Sequence, residues 1–135
     1  ELLNLKENDD FNLIKDAAMS GNTDKTNKLL SDTILESDKI MFYITILNQR
    51  LIKLKEILSK NGRSLEQTVE TLKPPIFWKD RAQVLEQSKK WNLKKINNTL
   101  KKTFDFELEH KSNSILNKNI LIKKLLIDIC IAANA

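Results

Sequence analysis

Apolar residues recur along the chain at steps of three and four, and the stretches that keep this rhythm are separated by residues that start or stop helices. The longest runs from about Asp38 to Asn61, where Ile40, Ile44, Leu47, Leu51, Leu54 and Leu58 make one stripe and Phe42, Ile46 and Ile57 widen it. Gly62 supplies the stop. A helix apolar over more than half its girth touches neighbours on two sides. Before it, Phe11, Ile14, Ala17 and Ala18 share a face over about Asp10 to Ser20, and Gly21 ends that helix. Asn22 or Thr23 caps a second helix with Leu29, Leu30, Ile34 and Leu35 turned inward.

Ser64 and Gln67 have the form of a capping box and open a short helix to Leu72, which Pro74 and Pro75 terminate. A fifth helix covers about Trp78 to Lys90. Asn92 then caps a sixth to about Lys111, with Leu93, Ile96, Leu100, Phe104 and Leu108 as its stripe. Trp91 and Ile96 stand where a hydrophobic staple places them. Ser112 to Asn119 is a polar break. The last helix sets Ile122, Leu125, Leu126, Ile129, Cys130 and Ala133 on one face and Ile120, Ile127 and Ile131 on much of the other, as a central or partner-bound helix does. The pattern predicts an all-α fold, a single compact bundle of about seven helices.

Composition agrees: with two glycines and two prolines in 135 residues, a sandwich that turns every ten residues is excluded. Gly21 and Gly62 are too far apart for a phosphate-binding Gly-rich loop. The net charge of +5 comes from 20 Lys and 3 Arg, beside 14 Asn and 15 Ile, a bias that AT-rich coding also favours. The lone Cys130 forms no internal disulfide and sits in an apolar helical run, which points to a reducing cytoplasm. The stretch from Ile120 to Ala135 is broken by Lys123, Lys124 and Asp128 and is too short to span a bilayer, so no membrane role is expected. The opening at Glu1 in mid-pattern reads as a fragment of a longer chain, with 1–10 the end of a linker or preceding segment and 11–135 the domain.

Catalysis finds few candidates. His110 is the only histidine, near the end of a charged helix, and Glu107-x-x-His110 supplies half of a di-iron pattern that needs two such pairs. Cys130 alone makes no zinc site and reads as a core thiol. No catalytic residue, metal or cofactor is expected. Basic residues do cluster: from Lys79 to Lys102 the chain nets +6, with Lys89, Lys90, Lys94 and Lys95 the candidate DNA contacts. No base-reading group accompanies them, so such contact is nonspecific, and a solvated lysine face is the competing reading. In Lys73-Pro-Pro-Ile-Phe-Trp-Lys79, two prolines hold an extended backbone ahead of three bulky apolar residues. That segment either plugs the core or offers Phe77 and Trp78 as interface anchors.

The series Lys73-Pro-Pro-Ile-Phe-Trp-Lys79, Arg81, Trp91 with Asn92 at a helix start, and Glu107-Leu-Glu-His-Lys111 resembles the C-terminal helical collar domain of the bacterial DNA polymerase III delta subunit. Upstream, Asp16-Ala-Ala-Met-Ser-Gly21 and Ile46-Leu-Asn-Gln-Arg-Leu51 are similar to that family's small-residue helix and long Leu-rich helix. The resemblance covers about Phe11 to Ala133. It departs at Ser112 to Asn119, where relatives often place a Gly-containing loop.

The resemblance implies a non-catalytic clamp-loader subunit whose helical domain joins those of the gamma or tau and delta-prime subunits in a five-membered ring. The sliding clamp would be met only through an N-terminal region absent from this sequence. Phe77, Trp78, Ile120, Ile127 and Ile131 are the expected subunit-interface residues. The alternatives are a basic helical nucleic-acid-binding module and a helical enzyme fragment. Salt separates assembly from phosphate binding, because only the latter weakens steeply as salt rises.

Overall fold

A computed structural model describes the backbone of residues 2–60, 64–72, 75–112 and 117–135, with side chains from residue 10 to 111 within those ranges and from 117 onward. Helix α1 spans Leu2–Met19. Gly21 adopts a φ of 71°, the left-handed conformation that reverses the chain, and its N–H bonds back to Ala18 O at 3.0 Å. The Asn22 side chain accepts from Lys25 N and opens α2, Thr23–Asp32. A single 3-10 turn, Ser37–Lys39, leads into α3, Ile40–Leu58. Both halves of the capping box form at α4, Leu65–Thr71: Ser64 Oγ accepts from Gln67 N, and Gln67 Oε1 accepts from Ser64 N. A second 3-10 turn, Trp78–Asp80, precedes α5, Arg81–Lys90. Asn92 Oδ1 accepts from Lys95 N at 2.8 Å to cap α6, Leu93–Ser112. Asn117 caps α7, Lys118–Asn134.

Helices α1, α3, α6 and α7 each touch the next and close a ring, with α2 packed against α1 and α7, and α4 and α5 laid on α3. Helix α3 is the axis. Its Ile40, Ile44, Leu47, Leu51, Leu54 and Ile57 are almost wholly removed from water, each burial contributing about 1.5–3 kcal/mol. From α1 come Phe11, Ile14, Ala18 and Met19, and from α7 Ile122, Leu125, Leu126 and Ile129. Phe11 stacks on Tyr43 with ring centroids 4.4 Å apart. Trp91 is buried beside Ile96 in the same core, and its indole Nε1 donates to Met19 O at 2.8 Å. The staple position of Trp91 therefore also ties the α5–α6 corner to the end of α1.

Several expectations are corrected. Helical backbone begins at Leu2, not near Asp10. Ile34 is exposed because α2 stops at Asp32, whereas Leu35 is buried as expected. On α6 the inward stripe is Ile96, Thr99, Thr103 and Phe106, while Leu93, Phe104 and Leu108 face solvent. Thr103 Oγ1 donates to Asn48 on α3 at 2.7 Å, and that hydrogen bond belongs to the α3–α6 seam. Phe42, placed on the flank of the α3 stripe, is also exposed. Gly62 as the stop of the third helix, Lys73 and Pro74 of the Pro-Pro segment, and residues 113–116 of the polar break lie outside the described residues.

Candidate functional site

Helix α7 has two characters. One side supplies core, and Cys130 is sealed there with its Sγ 3.7 Å from Thr23 Oγ1 and 3.9 Å from Thr26 Oγ1. The other presents Ile120, Ile127 and Ile131 to solvent, with 63%, 39% and 63% of their surface accessible. Positions 120, 127 and 131 recur at helical spacing, so the three form a line rather than a scatter. Helix α2 flanks this line: Thr23 and Thr26 lie at Cys130, and Ser37 Oγ donates to Asn119 Oδ1 at 3.2 Å just beyond the helix.

The segment after the prolines divides. Ile76 plugs the core, whereas Phe77 and Trp78 stand out at 58% and 68% exposure. The plug reading is thus corrected for those two: Ile76 is buried, while Phe77 and Trp78 stay exposed where the chain enters the 3-10 turn Trp78–Asp80. The rings lie 6.0 Å apart, Lys79 Nζ sits 5.5 Å from the Trp78 ring centroid, and Arg81 Nε donates to Ile76 O at 3.4 Å.

The candidate DNA-contacting lysines gather at the α5–α6 corner beside the end of α7. Lys89 pairs with Glu86 at 3.3 Å, Lys90 donates to Asn134 Oδ1 at 3.3 Å, and Lys95 donates to Lys90 O and, at 2.6 Å, to Ala135 O. Of the four, Lys94 projects into solvent unengaged by these contacts. Part of this cationic corner therefore fastens α7 to α6.

Near the end of α6, His110 is half-buried and stacked on Phe106, with ring planes 7° apart. Burial, then Lys118 and Lys111, pushes its pKa below the usual histidine range. Its Nδ1 is enclosed, and among the described residues it has no hydrogen-bond partner. Glu107 bonds Lys111 at 3.9 Å rather than His110, and among the described residues no group of three His, Cys, Asp or Glu side chains is placed to hold a metal ion. Among those residues, too, no helix is long and apolar enough to cross a membrane.

Two features escaped the sequence reading. Leu93, Phe104 and Leu108 make an outward apolar face on α6, and the drift of their spacing around the helix was its signal. The second is a groove of about 400 Å³ between α1, α3 and the Ile76–Asp80 segment, walled by Phe42, Ile46 and Phe77 above Lys15 and Arg50. Arg50 Nη1 donates to Asp16 Oδ1 at 2.8 Å and to Gln87 Oε1 at 2.7 Å, linking α1, α3 and α5 beneath it. Comparison of the chain with protein-family models, with curated proteins and with solved structures finds no match.

Proposed function

We propose that this chain is an assembly domain: the helical collar piece of a non-catalytic subunit in a cytoplasmic, bacterial-type clamp loader, which holds its parent subunit in a ring with the gamma or tau and delta-prime subunits. The observation that carries the reading is the solvent-facing line Ile120, Ile127 and Ile131 on a helix whose opposite side is core. Large apolar side chains in a row are what a partner helix covers, and the rigid core behind them fixes their positions before binding. The exposed Phe77 and Trp78 supply a second apolar surface on another element, as a ring needs, since each member meets two different neighbours through two different faces. On this reading the domain transmits position and performs no chemistry, while its lysine corner adds a nonspecific attraction for DNA.

The test mixes this chain with the helical domains of the gamma or tau and delta-prime subunits from the same source and follows molecular mass by light scattering. Assembly through apolar faces yields a mixed species that persists from low to moderate salt. No mixed species, together with binding to primed DNA that falls steeply as salt rises, would replace the assembly reading by that of a basic nucleic-acid-binding module.

A further inference from the structure

We propose that the groove between α1, α3 and the Ile76–Asp80 segment binds an extended peptide segment of a partner, one that carries a carboxylate next to a bulky apolar side chain. The proposal deepens the assembly reading, and rests on it, in giving Phe77 an occupant of stated chemistry.

The argument begins with Lys15. Its side chain is 8% exposed and lines the groove, and Asp16, the carboxylate at ion-pair distance from it, is shared with Arg50. Asp16 Oδ1 lies 3.7 Å from Lys15 Nζ but only 2.8 Å from Arg50 Nη1, and the same oxygen also accepts from Gln87 Nε2 at 3.3 Å. An ammonium has three donors, and Lys15 uses one on Asn12 Oδ1 at 3.0 Å. Of the other charged groups around the groove, Lys53 meets Glu56 at 3.5 Å, and Asp80 acts on Lys15 at longer range than the ion pair to Asp16. A buried cation that shares a carboxylate with a stronger competitor is completed by an incoming anion.

The walls select what accompanies that anion. Phe42 and Phe77, both substantially exposed, line the groove together with Ile46 and Val84. Such walls take an apolar side chain and give a free inorganic anion nothing. The volume of about 400 Å³ suits two or three residues, and an open groove suits an extended chain better than a helix.

The experiment titrates this chain, labelled with nitrogen-15, with the capped pentapeptide Gly-Glu-Leu-Phe-Gly and its Gln counterpart. The expected result is movement of the Asn12, Gln49, Lys53 and Phe77 amides, with affinity roughly tenfold weaker for the Gln peptide. Lys15→Met, which keeps the buried stem, should weaken the acidic peptide to a similar extent. Phe77→Ser, at a solvent-exposed position that leaves the core intact, should weaken both peptides. Equal affinity for the two peptides, no movement at these amides, or their movement by oligothymidylate in preference to peptide would each overturn the proposal. Ile127→Asp, which is expected to break assembly through α7, leaves this titration unchanged, so failure of the groove and failure of the assembly reading give separate signatures.

Discussion

Asp16 serves two buried cations at once, and its position sets the cost of losing it. Exchange of its carboxylate for an amide, Asp16→Asn, removes the carboxylate that lies at ion-pair distance from both Arg50 and Lys15. Breaking such a pair costs about 3 kcal/mol, near the lower end for buried pairs because a fifth of the Asp16 side chain remains in water. Urea unfolding measures this directly, and adding Lys15→Met should recover part of the loss because the two sites share one partner. The same residue predicts a pH dependence. Desolvation first, then Arg50, holds the Lys15 pKa below its ordinary value against the opposing pull of Asp16 and Asp80. The unfolded chain therefore keeps its proton to higher pH than the fold does, and stability rises with pH across the window between the lowered value and the ordinary one. Tyr43, whose hydroxyl accepts from Glu36 N and whose pKa burial raises, works in the opposite direction but only above the ordinary tyrosine value. Below that value, unfolding midpoints of the native chain should climb with alkaline pH while those of Lys15→Met stay flatter. Equal slopes would mean that Lys15 is not desolvated as described.

At the scale of elements, cost follows what each helix end or stripe is asked to do. Leu51 has no accessible surface at the centre of α3, and Leu51→Ala should cost about 2–5 kcal/mol, whereas Ser64→Ala at the exposed α4 cap should cost about 1 kcal/mol. Gly21→Ala should be closer to the former than its surface position suggests. A Cβ there meets the Asn134 side chain, which donates to Gly21 O at 2.9 Å, and the backbone would keep a φ of 71°. Thermal unfolding of the three variants orders them. These elements also show how far the chain is legible as sequence. Caps at Asn22, Ser64 and Asn92 were readable because a capping side chain bonds its own backbone within three residues, and the buried face of α7 was readable because its apolar residues outnumber every alternative. The stripe of α6 was not. Counting apolar residues favours Phe104 and Leu108 over Thr99 and Thr103, yet both threonines are buried, Thr103 bonded to Asn48 on α3, and the inward face lies about a quarter turn away. The groove was out of reach for a related reason. Lys15, Arg50 and Phe77 come from three distant stretches, and no local spacing reports that the fold assembles them.

For the whole molecule, the exposed apolar residues are the feature that its own core leaves unexplained. The ring of α1, α3, α6 and α7 is complete without Ile120, Ile127 and Ile131, and the core closes over Ile76 without Phe77 or Trp78. Sequence patterning marked the three α7 isoleucines as surplus and left Phe77 and Trp78 open between a core plug and an anchor; the placement of all five on the outside is legible only from the packing that excludes them. The most direct measurement is sedimentation velocity of the chain carrying both Ile127→Asp and Ile131→Asp, mixed with the helical domains of the gamma or tau and delta-prime subunits at moderate salt. Assembly through α7 predicts a variant that keeps the circular dichroism and melting temperature of the native chain and no longer forms the mixed species. A variant that assembles as the native chain does, or one that unfolds because those two side chains belong to the core, would contradict it.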